Sequence, residues 1–303
     1  MDNSKIKVGI IGLSVHSADF SEILYSGDYK SKVAVIYHPK GNPDVEFSEE
    51  RLQSFSERIG NQGVATVNSI DEVIGESDAV MLLTNDGRPH LEQVMPVLKA
   101  GKPVYIDKPL AENLKNVMKI FREANRYGVK VFSSSALRYG SQNTSIKAGE
   151  YVGELLGAQT YGPAPLQKAH VDLFWDGIHG IESLFSVMGT GCQTVSRTST
   201  NGTDLVVGKW PGDKLGYFRG IREGKIGFGG TVFGTDGINS IGKFEGYQRL
   251  VRAIDDFFLT GKLPVEPEET IEIYAFMEAA DESKRQGGIP IKISDTINKV
   301  KIE

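Results

Sequence analysis

Apolar residues in the first part of the chain fall into short runs separated by stretches with helical spacing. The runs are rich in β-branched residues and do not alternate with polar positions, which is typical of strands buried on both faces of a parallel sheet. The clearest helical stretch extends from Asn113 to Tyr127, and Gly128 is placed to end it. The alternation predicts a doubly wound α/β sheet with right-handed crossovers. The predicted strands are Val8–Ile11, Val33–Tyr37, Val64–Val67, Ala79–Leu83, Val104–Ile106 and Val129–Phe132.

The pattern changes after Ser133. A helical stretch from Gly177 to Met188 is followed by strand-forming segments separated by glycine-rich turns, which predict an antiparallel sheet. Two more helices are predicted near Tyr247–Leu259 and Glu268–Arg285. Because domains usually contain about 100–200 residues, a chain of 303 residues is predicted to form two domains. With the boundary near the change of pattern, the predicted domains are 1–137 and 138–303. The predicted strands of the second domain are Gln193–Thr200, Leu205–Trp210, Leu215–Arg222, Lys225–Phe233 and Gly237–Ile241.

Composition narrows the class of protein. A net charge of −5 lacks the broad positive field of nucleic-acid-binding proteins, so we expect no nucleic-acid partner. The chain has no apolar run of the ~20 residues needed to span a membrane, so we expect no membrane partner, and residues 1–5 do not resemble the start of a signal peptide. With a single cysteine, Cys192, and five histidines, we expect a cytoplasmic location and no zinc site built from thiolates.

The turn after the first predicted strand resembles a phosphate-binding loop. It reads Gly12-Leu13-Ser14-Val15-His16-Ser17, whereas the full dinucleotide fingerprint has glycine at the first, third and sixth positions. Of these three positions, only the first, Gly12, is a glycine in this chain. Serine is small enough for the other two positions, and the Ser14 hydroxyl could donate to a phosphate at the helix N-terminus. The loop therefore indicates either a Rossmann-type nucleotide site or an ordinary strand-to-helix turn.

The end of the second predicted strand leaves the choice of dinucleotide open. In NAD-binding Rossmann domains an acidic residue near this point binds the adenosine ribose. Here the sequence reads Tyr37-His38-Pro39-Lys40, without a carboxylate. His38 and Lys40 could tolerate a 2′-phosphate, but no arginine is present to grip one. We expect NAD or NADP as the cofactor.

Two further segments carry a specific resemblance. Residues 79–90 hold the run AVMLLTN and then Pro89-His90, and residues 98–111 read LKAGKPVYIDKPLA. These segments resemble the glucose–fructose oxidoreductase / inositol dehydrogenase (Gfo/Idh/MocA) family, in which a T-P-N-like turn, a histidine and an A-G-K-x-V-x-x-E-K-P-L-A motif follow each other. Asp107 replaces the usual glutamate. Similar stretches continue at residues 136–139, 176–179 and 278–283.

The resemblance implies an N-terminal Rossmann domain that binds NAD(P) and a C-terminal α/β domain that binds substrate and mediates oligomerisation. It also implies that the sheet of the C-terminal domain is large, open and mainly antiparallel. It implies that Lys108 and His179 handle the proton of a substrate hydroxyl, a role worth about 10²–10⁴-fold in rate. Asp176 stands one position later than the family's acid, and it could orient His179 or cap the helix. The predicted cofactor-binding residues are Gly12, Leu13, Ser14, His16, Tyr37, His38, Thr84, Asn85, His90, Asp107 and Arg138.

Aromatic and polar residues precede the helix that carries His179. Phe174 and Trp175, next to His170 and Asp172, suit a sugar ring because aromatic faces stack on C–H groups while polar groups bind hydroxyls. Alternatively, the aromatic residues belong to the core. A metal site is a weaker alternative, since the spacing matches no specific metal motif; its residues would be His170, Asp172, Asp176, His179 and Glu182.

These features predict a nicotinamide-dependent oxidoreductase that acts on a hydroxyl of a sugar, polyol or related small molecule. Two alternatives remain. One is a lyase or hydrolase that uses a tightly bound NAD transiently, and the other is a non-catalytic Rossmann-fold binding protein that has lost cofactor affinity. We also expect a homo-oligomer built through the open face of the second sheet. The aromatic residues expected on or near that sheet are Phe218, Phe228 and Phe233.

Overall fold

A computed structural model describes residues 5–301 of the chain. The chain forms two compact units, each described here by itself. Unit 1 combines the residues up to 111 with residues 116–133 and 247–267. Unit 2 combines residues 112–115 and 134–246 with those from 268 onward. The chain therefore enters each unit more than once, whereas the sequence-based division at residue 137 was linear.

The secondary structure follows the predicted order with small shifts at the ends. The elements of the first part of the chain are β1 (Ile6–Ile11), α1 (Val15–Ser26), β2 (Ser31–Tyr37), α2 (Glu49–Gly60), β3 (Ala65–Thr66), α3 (Ile70–Glu76), β4 (Ala79–Leu82), α4 (His90–Lys99), β5 (Val104–Ile106), α5 (Leu114–Arg126) and β6 (Val131–Phe132).

A 3₁₀ turn at Ala136–Tyr139 leads into the second part. Its elements are α6 (Ser141–Lys147), β7 (Leu155–Pro163), α7 (Gly177–Met188), β8 (Thr194–Ser199), β9 (Thr203–Lys209), β10 (Leu215–Ile221), β11 (Gly229–Gly234), β12 (Ile238–Ile241), α8 (Gln248–Thr260), α9 (Pro267–Arg285), β13 (Ile291–Lys292) and α10 (Ile293–Lys299).

Unit 1 is built on a parallel sheet with the order β3-β2-β1-β4-β5-β6. All four residues of β4 are buried, as expected for a strand covered on both faces. The strand order reverses between β1 and β4, and open α/β sheets bind ligands at the carboxyl ends of the strands at such a switch point. The Rossmann-type sheet predicted from the sequence is confirmed.

Helix α8 belongs to unit 1 although it lies far along the chain. The Asp255 carboxylate accepts hydrogen bonds from the backbone N–H groups of Lys30 (3.0 Å) and Ser31 (2.7 Å) at the start of β2. The Phe257 ring packs edge-on against Phe132, with 5.0 Å between centroids. These contacts satisfy two backbone donors and cover the end of the sheet.

Unit 2 contains a seven-stranded sheet with the order β12-β11-β7-β10-β9-β8-β13. The pairs are antiparallel except for β7 with β10, which is parallel. The mainly antiparallel sheet was predicted, whereas β7 and β13 were not. Helix α7 packs on one face of this sheet against β7 and β10, and Gly180 of α7 lies directly over the Phe218 ring.

Phe218 lies on a strand of the sheet as expected, in β10, but it is fully buried beneath α7 and is not part of the open face. Side chains alternate across a strand, and Leu215 and Tyr217 therefore face away from α7. Leu215, at 50% exposure, is among the large apolar residues that the structure leaves exposed along the sheet. Other exposed large apolar residues on strands of this sheet include Leu156, Tyr161, Leu205 and Ile238.

Within residues 5–301, no helix combines the length and the apolar character required to cross a membrane.

Candidate functional site

Gly12 makes the tight turn between β1 and α1. Its φ is +103°, a conformation that side-chain-bearing residues rarely adopt. A Cβ at this position would overlap the backbone of Thr84, at the end of β4. The Gly12 N–H donates to the Tyr37 carbonyl oxygen at 2.8 Å. The turn therefore lies against the carboxyl ends of the two neighbouring strands, which explains why glycine is required here.

The two serines that replace glycine in the loop cap helix α1. Ser14 is the N-cap residue, and its side chain accepts a hydrogen bond from the Ser17 N–H. The Ser17 hydroxyl lies 3.1 Å from the Ser14 nitrogen and donates to the Gly12 carbonyl oxygen at 3.0 Å. Both serines are buried. This reciprocal capping box fixes the first turn of α1, whose N-terminus carries the partial positive charge that attracts phosphates.

His16, in the first turn of α1, is hydrogen-bonded to Asp107, which follows β5. The His16 Nδ1 atom lies 2.6 Å from Asp107 Oδ2, and its Nε2 atom lies 3.2 Å from the Tyr247 hydroxyl. The ring also stacks on Phe20, with centroids 5.1 Å apart. Burial raises the pKa of Asp107, but His16 and the charge of Lys108 outweigh that effect and hold it below its ordinary value. The structure thus joins the loop to the segment that carries Lys108.

Thr84 and His90 stabilise the turn after β4. The Thr84 hydroxyl donates to Gln93 Oε1 at 2.8 Å. His90 is fully buried, with Nε2 2.9 Å from the Thr84 carbonyl oxygen and Nδ1 3.2 Å from that of Leu110. Burial lowers the pKa of His90 despite these two acceptors. A direct cofactor contact by His90 stays a prediction, and its position suits a residue that ties two loops together.

A narrow cleft lies at the carboxyl ends of β1, β2 and β4, with room for about one water molecule. His38 Nδ1 is buried in this region and has no hydrogen-bond partner. Asn85 donates from Nδ2 to the Val45 carbonyl oxygen at 3.2 Å, which holds the loop after β2 over the cleft. The cleft is lined by Gly12, Leu13, His38, Pro39, Gly41, Asn42, Val45, Glu46 and residues 84–86.

In unit 2, His179 is paired with a serine that the sequence analysis did not select. The His179 Nδ1 atom lies 2.7 Å from the Ser135 hydroxyl, and its ring lies edge-on to Phe228. The backbone N–H of Ser135 donates to Glu182 Oε2 at 2.8 Å. Because Glu182 lies one turn after His179 on α7, the helix positions both partners of Ser135.

Arg138, predicted to contact the cofactor, is buried in unit 2 between two carboxylates. Its Nε donates to Glu182 at 2.8 Å, and Nη1 lies 2.7 Å from Glu269. These carboxylates keep the pKa of Arg138 above its ordinary value despite burial. Burial in turn raises the pKa of Glu182. The contact of Arg138 with a cofactor stays a prediction.

Asp176 occupies the N-cap position of α7, but its side chain makes no capping hydrogen bond. Lys108 follows Asp107 and is partly exposed. Neither position contradicts the predicted catalytic roles of Lys108, His179 and Asp176, which stay predictions.

The aromatic and polar residues before α7 that were suggested to bind a sugar ring do not form one group in the structure. Phe174 is fully buried and packs edge-on against Tyr274, with centroids 4.7 Å apart, so it belongs to the core. Trp175 is partly exposed and lies beside the His170 ring. Asp172 accepts from Arg197 (3.0 Å) and Lys284 (2.7 Å). Across the described residues, no group of three or more His, Cys, Asp or Glu side chains could hold a metal ion.

Sequence reasoning missed Ser135 and the acids around the cleft because neither belongs to a recognisable motif. Ser135 ends a run of three serines directly after β6, and a buried polar run at a strand end is the signal that could have found it. Asp86 is buried and accepts from Arg88 Nε (2.8 Å) and Asn42 Nδ2 (2.5 Å). Its partners come from different segments, so the sequence alone does not reveal them.

Residues 6–135 match the model of the oxidoreductase family with an NAD-binding Rossmann fold. This part of the chain is therefore similar to the Gfo/Idh/MocA family. The match contains the loop at Gly12 and the Asp107-Lys108-Pro109 segment, so the resemblance noted in the sequence is confirmed.

Two curated relatives each match slightly less than half of the chain. Inositol 2-dehydrogenase of Mycolicibacterium smegmatis is 27% identical over 154 residues, which cover 49% of this chain and 42% of the relative. Inositol 2-dehydrogenase 3 of Saccharopolyspora erythraea is 31% identical over 134 residues, which cover 44% of this chain and 36% of the relative. The chain therefore spans less than half the length of these relatives.

Solved structures share the fold over nearly the whole chain. A probable dehydrogenase from Thermotoga maritima superposes with a TM-score of 0.78 at 19% identity, covering 96% of this chain and 100% of that one. Scyllo-inositol dehydrogenase from Lactobacillus casei, solved with NAD(H) and scyllo-inositol, gives 0.75 at 14% identity, covering 96% and 99%. These likenesses show the fold of the chain.

Proposed function

We propose that this protein is a nicotinamide-dependent oxidoreductase that acts on a hydroxyl of a polyol or sugar-like substrate. The observation that carries the proposal is the turn at Gly12. It combines a positive φ, a position at the switch point of the parallel sheet and a capped helix N-terminus directly behind it. The family match and the inositol dehydrogenases among the relatives support the polyol class.

The residues around this turn fit a dinucleotide. A Cβ on Gly12 would overlap the Thr84 backbone, so glycine permits the tight turn that a dinucleotide-binding loop makes at a pyrophosphate. The N-terminus of α1 favours its negative charge. At the end of β2, the unpartnered His38 Nδ1 is available to the adenosine half. When bound, the nicotinamide supplies the acceptor for the hydride that leaves the substrate carbon.

Lys108 and His179 are the proposed proton-handling residues. A hydroxyl loses its proton as hydride leaves the same carbon, so a base must accept that proton. Lys108 follows Asp107, which His16 holds in place. The Ser135 hydroxyl lies 2.7 Å from His179 Nδ1, and we propose His179 Nε2 as the atom that accepts the proton. We also propose a cytoplasmic location, which the single cysteine supports.

The test starts with the purified protein, titrated with NADH and NADPH by fluorescence, and continues with turnover of myo-inositol and scyllo-inositol. We expect micromolar binding of one dinucleotide. Lys108→Ala should keep that binding and lower kcat about 10²–10⁴-fold. Absence of binding by either dinucleotide at millimolar concentration would contradict the proposal. Turnover with a co-purifying cofactor and no net NADH would favour the lyase or hydrolase alternative.

We propose further that the protein forms a homo-oligomer through the open face of the unit 2 sheet. Exposed apolar side chains lie on this face, including Leu205 (42%) and Leu215 (50%), and contiguous apolar patches often mark association sites. Light scattering should show an oligomer for the native protein and a monomer for Leu205→Glu/Leu215→Glu. Tyr25→Glu, at an exposed position of unit 1, is the control. A native monomer at micromolar concentration would contradict this proposal.

A further inference from the structure

In an NAD site the second strand normally ends in an acidic residue that binds the ribose, and here that strand ends without an acidic residue. β2 ends at Tyr37, followed by His38 and Pro39. A carboxylate nevertheless reaches the same cleft from the loop that follows, because Glu46 lines it together with Gly12 and His38. An acid eight residues beyond His38 in sequence thus stands beside it in the fold.

The loop is shaped to admit this carboxylate. A Cβ on Gly41 would overlap Glu46 Oε2, so glycine at position 41 keeps the space that the carboxylate occupies. Glu46 Oε1 accepts from the Phe47 N–H at 3.1 Å, which orients the group. Glu46 acts electrostatically on His38, whose ring lines the cleft too. Within residues 5–301, no Lys or Arg forms an ion pair with Glu46, so its charge is available to a ligand.

The charges around the cleft oppose a 2′-phosphate. Arg88 already forms ion pairs with two carboxylates, those of Asp44 at 2.6 Å and Asp86 at 2.7 Å. Glu46 adds a further negative charge, and Lys40 is the cation nearest in sequence to His38. A phosphate carries about −1.5 to −2 charges near neutral pH, whereas a ribose diol is neutral and donates hydrogen bonds that a carboxylate accepts.

We propose that Glu46 binds the adenosine ribose diol and makes NAD(H) the preferred dinucleotide. This inference rests on the proposed function, since it needs the cleft to be a nucleotide site. The Glu46 carboxylate takes the place of the acid missing from the end of β2, and His38 Nδ1 faces the same sugar. Because the cleft has room for about one water molecule, residues 41–46 move outward to admit the ribose.

The experiment measures dissociation constants for NADH and NADPH by fluorescence titration and calorimetry, without any turnover. We expect the native protein to bind NADH at least about tenfold tighter than NADPH. Glu46→Gln should weaken NADH binding about tenfold, since it removes hydrogen bonds to a charged acceptor, and should leave NADPH binding unchanged or stronger. Gly41→Ala should reproduce this loss with Glu46 intact, because the added Cβ displaces the carboxylate.

Glu50→Gln is the matched control, because it removes the same charge at an exposed position of α2. Unfolding curves show that each variant is folded. NADPH binding equal to or tighter than NADH, or a Glu46→Gln variant that matches Glu50→Gln, would overturn the inference while leaving the proposed function intact. Absence of binding by either dinucleotide would overturn both.

Discussion

His16 Nδ1 and Asp107 Oδ2 lie 2.6 Å apart, so a side chain from the first turn of α1 and one from the loop after β5 form a single buried pair. Both residues lie within unit 1. The segment that precedes Lys108 is thereby fixed to the helix whose N-terminus forms the predicted phosphate site. A change at Asp107 should consequently affect stability and the placement of Lys108 together.

We predict that Asp107→Asn lowers the free energy of unfolding at pH 7 by about 1.5–3 kcal/mol, the usual contribution of a hydrogen bond to a charged group. The pKa of Asp107 is held below the ordinary value for an aspartate, 3.8. Its contribution is therefore complete above that value and is lost as the pH falls through the lower pKa of the folded state. Urea unfolding between pH 7 and pH 3 should show the two proteins converging below pH 4.

Asp28→Asn, at an exposed position, is the control for this series. A difference between Asp107→Asn and the native protein that stays constant over the whole pH range would show that the ionised carboxylate does not contribute.

Ser135→Ala should lower kcat about fivefold, because losing a net hydrogen-bond contribution of about 1 kcal/mol frees the His179 ring. The Ser135 hydroxyl lies 2.7 Å from His179 Nδ1. A positioning role predicts a shifted pH profile of kcat, an unchanged affinity for the dinucleotide and recovery in Ser135→Thr. An unaltered pH profile with reduced thermal stability would point to a purely structural role.

Asp204→Asn should destabilise the protein by about 3–5 kcal/mol, the usual cost of breaking a buried ion pair. Arg197 and Asp204 have no exposed side-chain surface, and Arg197 Nε donates to Asp204 Oδ1 at 2.9 Å. Asp213→Asn, which alters an exposed pair with Lys209, should be nearly neutral. Equal unfolding midpoints for the two variants in urea would refute this prediction.

Gly180→Ala and Gly75→Ala should change the free energy of unfolding in opposite directions. A Cβ on Gly180 would overlap the buried Phe218 ring, so overpacking should cost about 1–3 kcal/mol. Gly75, within α3, has no heavy atom within 4 Å of the added Cβ, and alanine there should stabilise by about 0.5–1 kcal/mol. Chemical denaturation measures both, and a stabilising Gly180→Ala would contradict the packing described for α7.

The Rossmann-type sheet could be predicted because its signals are local. Each buried parallel strand is a short apolar run, and the Gly12 turn and the segment around Lys108 stand at its strand ends. The central strand β7 was missed because its sequence, LLGAQTYGP, includes two glycines. The first of these glycines is needed for close packing, since a Cβ on Gly157 would overlap the Leu215 carbonyl group.

The side of a sheet that faces a helix could not be predicted. The alternation of side chains along a strand correctly places Phe218 and Tyr217 on opposite faces of the sheet. Only the packing of α7 on β10 shows that Phe218 is on the buried face. The same reason applies to Ser135 and Glu46. Their partners, His179 and the cleft at Gly12, are distant in sequence, and the polar contacts arise only after folding.

The assignment of α8 to unit 1 affects the order in which the two units can be completed during synthesis. Asp255 and Phe257 complete the first sheet, yet the ribosome makes them only after residues 134–246 of unit 2. Unit 2 in turn is complete only after the residues from 268 onward have been translated. Domains generally fold as units, with the N-terminal one first, whereas here the apolar surface under α8 stays uncovered in the nascent chain until α8, which ends at Thr260, has been translated.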